Sequence, residues 1–265
     1  MRIVNPFLRA ARAAKPRNSF CTGGYQVLDL FSGIGGFSLG LERAGMQTAA
    51  FCEIDTYCQQ VLERHWPNTA TFGDIKQLTS RRPHNDGILS IDIICGGYPC
   101  QPFSVAGKRR GENDPRHLWP EMYRLIRELG PRWVICENVA GHVELGLDAV
   151  LADLENAGYT ATPFIIPACA VGAPHRRDRV WIVAHAAGLR LPRPLGPHQR
   201  QPAPKLPPEA IRWELPQPFT LGSDDGIPNR LERTQAVGNA VVPQIPELIG
   251  RAIIAFETAN ASHWN

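Results

Sequence analysis

Residues 27–37 read Val-Leu-Asp-Leu-Phe-Ser-Gly-Ile-Gly-Gly-Phe, and they give the strongest indication of the fold class. Val27 to Phe31 form a short, mostly apolar run of the kind found in buried strands. The glycines within residues 32–36 predict a tight turn, and residues 37–44 predict a helix that ends at Gly45. A strand, a glycine turn and a helix in direct succession are the first unit of a layered α/β fold.

The same alternation continues along the chain. Further strands are predicted at residues 47–52, 91–95, 133–136, 159–166 and 180–184, and further helices at residues 56–65, 118–129, 147–154 and 245–256. Strands that alternate with amphipathic helices predict a parallel-type sheet that helices cover on both faces.

Composition excludes several classes of protein. The chain has 265 residues, of which 43% are hydrophobic and 20% charged, and this balance argues against wholesale disorder. No run approaches the roughly 18 apolar residues of a membrane-spanning helix. The formal net charge of +3 permits a nucleic-acid partner without demanding one. The seven cysteines include no C-x-x-C pair, which favours free thiols in a reducing, cytoplasmic compartment over disulfides or a zinc site.

Charge and proline content divide the chain into four regions. Residues 1–24 form a basic arm, and residues 25–185 form the α/β domain. Ten of the 24 prolines lie between positions 186 and 235, so residues 186–234 are predicted to be a small irregular lobe. Residues 235–265 then return to the α/β domain with a regular helical pattern.

Acidic residues near two predicted strand ends favour a nucleoside-containing cofactor. In an open α/β sheet, ligands bind beyond the carboxyl ends of the strands. Glu53 ends the second strand and has the position of a ribose ligand, while Asp74 could accept a hydrogen bond from an exocyclic amine. Ser38 stands where a dinucleotide fingerprint has its third glycine, which disfavours a dehydrogenase. Taken singly, the glycine loop is as often a plain tight turn as a ligand site, and either acid is more often a solvated surface residue.

A candidate nucleophile lies in the loop of residues 96–104, which reads Gly-Gly-Tyr-Pro-Cys-Gln-Pro-Phe-Ser. Pro99 and Pro102 restrict the backbone on both sides of Cys100, and a thiol held there after a strand is placed for attack. The basic residues 108–110 would favour its thiolate form. For an isolated cysteine, a structural role remains the commoner one.

Three further motifs follow along the chain. They are Glu137-Asn138-Val139 at a strand end, the cationic run from His175 to Arg179, and Gly238 to Pro243 before the last helix. The cationic run is typical of a solvated face or a phosphate contact. By themselves, the other two carry no chemistry.

Taken in order, these motifs resemble those of the C5-cytosine-specific DNA methyltransferases, in a short, phage-like form. The likeness rests on D-L-F-S-G-I-G-G, G-G-Y-P-C-Q-P-F-S, E-N-V, R-R-D-R and G-N-A-V-V-P, and it covers residues 25–184 and 225–256. It implies a Rossmann-like sheet that binds S-adenosyl-L-methionine, a small target-recognition lobe, and double-stranded DNA as substrate. It implies neither a metal nor a membrane, and it leaves open whether the chain acts as a monomer or with a second subunit.

The resemblance also implies roles for individual residues. Cys100 would add to carbon 6 of a flipped cytosine, protonated Glu137 would donate to N3, and Arg177 and Arg179 would hold the base. The implied cofactor contacts are Phe31, Ser32, Gly33, Gly35, Gly36, Glu53, Ile54, Asp74, Ile75, Pro99, Asn239 and Ala240. The implied DNA contacts are Ser104, Lys108, Arg109 and Arg110.

The chain departs from the family pattern at several points, and the short target-recognition region is the departure that keeps other functions open. His175 stands where the family commonly has glutamine, and only about 50 residues separate Ala184 from Gln235, where the target-recognition region lies. The short region leaves an RNA or tRNA cytosine-5 methyltransferase as one alternative. A non-catalytic DNA-binding homologue, or one half of a two-chain enzyme, is the other. The resemblance further implies a restriction–modification role in the cytoplasm of a bacterial or phage-infected cell, associated with the nucleoid.

Overall fold

The computed structural model describes residues 24–79, 90–99, 118–187, 236 and 238–261. The basic arm, nearly all of the predicted lobe and four implied DNA contacts (Ser104, Lys108, Arg109 and Arg110) lie outside these residues, as does Cys100.

The described residues form one seven-stranded sheet flanked by helices. Its strands are β1 (Gln26–Leu30), β2 (Gln47–Cys52), β3 (Ala70–Phe72), β4 (Ile93–Gly96), β5 (Trp133–Val139), β6 (Tyr159–Pro167) and β7 (Asp178–Ala186). The helices are α1 (Gly36–Arg43), α2 (Thr56–His65), α3 (Trp119–Leu129), α4 (His142–Leu145), α5 (Leu147–Asn156) and α6 (Gln244–Ala261), with a 3₁₀ turn at Ala168–Val171. The strand order is β3-β2-β1-β4-β5-β7-β6.

The predicted α/β architecture is confirmed, but the prediction of a parallel-type sheet is wrong at one end. Strands β1 to β5 are mutually parallel, whereas β7 is antiparallel to both β5 and β6. Only residues 168–177 connect β6 to β7. A parallel crossover needs about a dozen residues or more and usually a helix, so this short connection reverses the chain.

Most predicted boundaries agree with the structure to within three residues. The bounds of β2 and α2 are those predicted. Strand β3 was not predicted, because three residues are too few for a periodic signal. Phe31 was predicted to end the first strand but lies outside it, with a left-handed φ of 54° that starts the glycine turn.

Two apolar cores cover the two faces of the sheet, as predicted. Successive residues of a strand face opposite sides, and Val27 and Leu28 accordingly belong to different cores. Helices α1 and α6 pack on the face that contains Val27, while α3 and α5 pack on the face that contains Leu28. Within the described ranges, no helix is long and apolar enough to cross a membrane.

Helix α6 returns the end of the chain to the sheet. Glu257, which is 5% exposed, accepts hydrogen bonds from Arg132 Nε and Nη2 and from Trp133 Nε1, at 3.1, 2.6 and 2.8 Å. The segment before α6 lies against α1 so closely that a Cβ on Gly40 would overlap the carbonyl oxygen of Pro243. This packing brings the C-terminal segment beside the glycine turn, which begins the candidate site.

Replacing Gly40 by alanine tests this close approach. Alanine is the better helix former by about 1 kcal/mol, yet overpacking typically costs about 1–3 kcal/mol, so we expect Gly40→Ala to lower the free energy of unfolding. Gly141→Ala is the matched control, since Gly141 has a φ of −63° and nothing within 4 Å of an added Cβ. Urea unfolding measures both variants, and unchanged stability of Gly40→Ala would contradict the packing.

Candidate active site

The candidate site lies where the carboxyl ends of four parallel strands meet. Strands β2, β1, β4 and β5 are neighbours in the sheet and run in the same direction. The glycine turn follows β1, Glu53 follows β2, Gly97 follows β4, and Glu137 lies near the end of β5. The topology therefore gathers motifs that are more than 100 residues apart in the chain.

A network of short hydrogen bonds holds the glycine turn. Ser32 Oγ donates to the carbonyl of Asp29 at 2.7 Å and accepts from the amide of Cys52 at 3.2 Å. This hydroxyl therefore ties the ends of β1 and β2 together. Ser32 is 7% exposed, and the next residue, Gly33, has a left-handed φ of 53°.

The glycines of the turn serve different purposes. A Cβ on Gly35 would lie 2.6 Å from the Trp66 ring, and a Cβ on Gly36 would lie 2.6 Å from the carbonyl oxygen of Val241. These two positions need glycine because other parts of the chain pack onto them. At Gly33, by contrast, an added Cβ would meet nothing within 4 Å, so this side of the turn is open.

Asp29 is a buried carboxyl to which the sequence analysis assigned no role. Its Oδ2 accepts from the backbone amide and the hydroxyl of Ser38, at 3.2 and 2.7 Å, and so fastens the first turn of α1. Complete burial raises the pKa of Asp29 to about 7, although the Ser38 hydrogen bonds partly offset that effect. Asp29 lies within a predicted buried strand, but the hydrophobic pattern does not indicate which polar groups its carboxyl contacts.

Glu53 lies directly against the open side of the glycine turn. Its Oε2 accepts from the amide of Gly33 at 2.7 Å, and its Oε1 accepts from the amide of Asp55 at 2.8 Å. The next side chain, Ile54, is apolar and yet 70% exposed. Such a carboxylate can accept hydrogen bonds from the hydroxyls of a ribose, and the exposed apolar side chain beside it can pack on a flat ring.

Four other implied cofactor contacts differ in their exposure. Asp74 is half-buried and accepts from the amide of Lys76 at 2.9 Å. Ile75 is 4% exposed and packs into the core, while Pro99 and Asn239 are exposed.

Arg177 connects the C-terminal segment to the sheet. Its Nη2 donates to the carbonyl oxygens of Gly238 and Ala240, at 2.8 and 3.1 Å. Arg177 has a left-handed φ of 38°, which is uncommon for a residue with a side chain. This side chain therefore holds a segment that is more than 60 residues away in the chain.

Glu137 and Arg179 form an ion pair beside this segment. Arg179 Nε lies 2.8 Å from Glu137 Oε1, and the Glu137 side chain is 13% exposed. Burial raises the pKa of Glu137 above its ordinary value, although the positive charges of Arg179 and Arg177 act in the opposite direction. A carboxyl with a raised pKa can act as a proton donor closer to neutral pH than a solvated carboxyl.

The loop that leads to Cys100 lies against Glu137 and its neighbour. A Cβ on Gly97 would be 3.1 Å from Glu137 Oε2, so glycine allows the carboxylate to lie over the loop. Asn138 Nδ2 donates to the carbonyl of Tyr98 at 3.1 Å. Neither Asn138 nor Tyr98 can be assigned this contact from the sequence, because contacts between two strand ends leave no local pattern.

The described cysteines differ in exposure. The predicted buried free thiols are confirmed for Cys52, Cys58, Cys95 and Cys136, whereas Cys169 is exposed. Burial raises the pKa of the Cys52 and Cys58 thiols to about 12, so they remain protonated and unreactive at neutral pH.

Comparison with known proteins identifies the chain's relatives. The model of the family described as C-5 cytosine-specific DNA methylase matches residues 25–211. The Type II methylase M.HgiEI of Herpetosiphon aurantiacus is 37% identical over 175 residues, which cover 63% of this chain and 38% of that protein. The Type II methyltransferase M.HgiBI of the same organism is 36% identical, with the same two coverages. The chain thus spans well under half the length of these curated relatives.

A solved structure has a similar fold. The structure of a DNA modification methyltransferase encoded within an Escherichia coli prophage matches with a TM-score of 0.56 and 30% identity. The match covers 64% of this chain and 49% of that protein. The predicted Rossmann-like methyltransferase fold is thereby confirmed.

Replacing Arg179 by glutamine tests the electrostatic balance at Glu137. Because the guanidinium lowers the pKa of a buried carboxyl, we expect Arg179→Gln to raise that pKa further. The ¹³C NMR titration of the Glu137 carboxyl, assigned with Glu137→Gln, measures the shift. Arg176→Gln is the matched control, because the Arg176 side chain is 82% exposed and pairs with Asp178.

The same variant has a consequence for stability. A carboxyl whose folded pKa exceeds its unfolded value destabilises the fold once the pH passes the unfolded value, and this cost grows until the folded pKa is reached. Arg179→Gln should therefore lose more stability than the wild type as the pH rises above about 4, the ordinary pKa of a carboxyl. Equal losses in urea unfolding would contradict the balance.

Proposed function

Because this chain belongs to the C-5 cytosine-specific DNA methylase family, we propose that it transfers a methyl group from S-adenosyl-L-methionine to carbon 5 of cytosine in double-stranded DNA. The observation that carries the proposal is the largely buried Glu137 carboxyl, paired with Arg179 and lying over the loop that leads to Cys100. The designation of its relatives as Type II enzymes supports a place in a restriction–modification system.

The residues beyond β1 and β2 fit the cofactor. Gly33 leaves open space next to the Glu53 carboxylate, and Ile54 offers an exposed apolar surface beside it. Glu53 would accept hydrogen bonds from the ribose hydroxyls, and Ile54 would pack on the adenine. When bound, S-adenosyl-L-methionine supplies an electrophilic methyl group for carbon 5 of the base.

The side chains at the ends of β4 and β5 would activate the cytosine. Carbon 5 is a weak nucleophile until the Cys100 thiolate adds to carbon 6, which breaks the 5,6 double bond and makes an enamine. Protonated Glu137 would donate to N3 and neutralise the charge that develops on the ring. After carbon 5 is methylated, N3 returns its proton to the Glu137 carboxylate. Loss of the carbon 5 proton to a base then re-forms the double bond and releases the Cys100 thiolate.

Arg179 would serve both Glu137 and the base. Its Nε holds Glu137 Oε1, and its Nη1 donates to the carbonyl of Asp178 at 2.9 Å, so the guanidinium plane is held by two contacts. A guanidinium held in this way can donate to a pyrimidine carbonyl. The target base must leave the duplex stack to reach these groups, at a cost of a few kcal/mol.

Transfer of labelled methyl groups tests the proposed activity. Mixed-sequence DNA and tRNA are incubated separately with the full chain and labelled S-adenosyl-L-methionine, and we expect label at carbon 5 of cytosine in DNA. Glu137→Gln should lower kcat by about 10²–10⁴-fold, because it removes general-acid catalysis, and Cys100→Ser should abolish turnover. An unlabelled DNA pool would contradict the proposal, and label in tRNA alone would replace it with the RNA alternative.

Replacing Glu53 by alanine tests the cofactor site. Loss of two charge-assisted hydrogen bonds to the ribose should weaken binding of S-adenosyl-L-methionine by about 10–100-fold or more. Glu63→Ala, on the exposed side of α2, is the matched control and should bind normally. Isothermal titration calorimetry measures both variants, and wild-type affinity of Glu53→Ala would place the ribose elsewhere.

A further inference from the structure

We propose that Tyr98 and His142 form a positioning pair that holds the peptide before Cys100 against β5 and so governs how fast the thiol adds to cytosine. The proposal rests on the proposed function. The Tyr98 hydroxyl lies 2.7 Å from His142 Nε2, and the two side chains are 4% and 7% exposed. Their rings meet edge to face, with centroids 5.4 Å apart.

Tyr98 is held at three separate points. Its hydroxyl contacts His142, its carbonyl oxygen accepts from Asn138, and its ring packs 5.1 Å from the Trp119 ring. Trp119 is itself anchored, because its Nε1 donates to Asp153 Oδ2 at 2.8 Å. A side chain fixed at its backbone, its ring and its tip has little freedom to move.

His142 lies in the short helix that follows the strand of the proposed proton donor. It begins α4, five residues after Glu137. Its ring occupies space that only glycine leaves at position 146, where a Cβ would lie 2.9 Å from His142 Cε1. The contact between Tyr98 and His142 therefore fixes the nucleophile loop relative to the segment that carries Glu137.

Covalent geometry transmits this restraint to the thiol. Cys100 follows Tyr98 by two peptide units, each about 3.8 Å from Cα to Cα, and the intervening Pro99 has a restricted φ. A displacement of Tyr98 is therefore expected to displace Cys100 as well. Misplacement of a reacting group by about 1 Å can cost about 100-fold in rate.

The restraint does not depend on the charge of His142. A tyrosine hydroxyl can donate to a neutral imidazole nitrogen or accept from a protonated one. The hydrogen bond therefore holds the loop in both protonation states of His142. Its loss is expected to alter the rate of adduct formation at every pH at which the enzyme works.

The test measures covalent capture of DNA that contains 5-fluorocytosine, in single turnover with S-adenosyl-L-methionine and the full chain. Tyr98→Phe keeps the ring and removes only the hydroxyl, and we expect its adduct to form about 10–100-fold more slowly than that of the wild type. The S-adenosyl-L-methionine concentration that gives half the maximal capture rate should stay within about 3-fold of the wild-type value, because the cofactor residues are untouched.

Tyr159→Phe is the matched control. It removes another buried tyrosine hydroxyl, which donates to the carbonyl of Pro131 at 2.7 Å near the opposite end of the sheet. Both variants should lower the melting temperature to a similar degree, but Tyr159→Phe should trap DNA at the wild-type rate. A rate loss in Tyr159→Phe equal to that in Tyr98→Phe would mean that only stability is affected, and would overturn the proposal.

Variants of His142 complete the test. His142→Gln places an amide near the position of Nε2 and should restore most of the capture rate that His142→Leu loses. Capture by Tyr98→Phe at the wild-type rate would overturn the positioning role while leaving the proposed function intact. Failure of the wild type itself to capture DNA would overturn the proposed function, and this inference with it.

Discussion

The direction of β7 is the constraint on which the candidate site depends. Because β7 is antiparallel to β5, its first residues lie beside the carboxyl end of β5, with Arg179 opposite Val139 and Trp181 opposite Glu137. Arg179 is therefore the diagonal neighbour of Glu137 on the same face, within reach of a long side chain. In a parallel β7 of the same span, Arg179 would lie beside Trp133 at the other end of β5, about 20 Å from its observed position.

The antiparallel β7 connects Glu137 of β5 to the C-terminal segment before α6. Arg179 holds Glu137, and Arg177, two residues earlier, holds the carbonyl oxygens of the C-terminal segment. That segment lies on Gly36 and Gly40 without room for a side chain. The glycine turn, the buried carboxyl and the last segment of the chain therefore occupy fixed positions relative to one another.

The polar groups of this region are positioned mainly by contacts with backbone atoms. The carbonyl of Tyr98 accepts from Asn138, and Glu53 accepts from two backbone amides. Such contacts fix loops that have no regular structure of their own, because each buried carbonyl or amide must find a partner. The loop before Cys100 thus gains its position from β5 and α4, which gives the proposed nucleophile and proton donor a common support.

The layered α/β class, the bounds of β2 and α2, and the family can all be predicted from the residue order, because neighbouring residues carry the signals of local burial and of ordered motifs. The direction of β7, the Arg177 contacts with residues 238–240, and the pairing of Tyr98 with His142 become visible only in the folded chain. The physical reason is that hydrophobic period reports which side of a strand is buried, and it carries no information about strand direction or about which distant side chain completes a hydrogen bond.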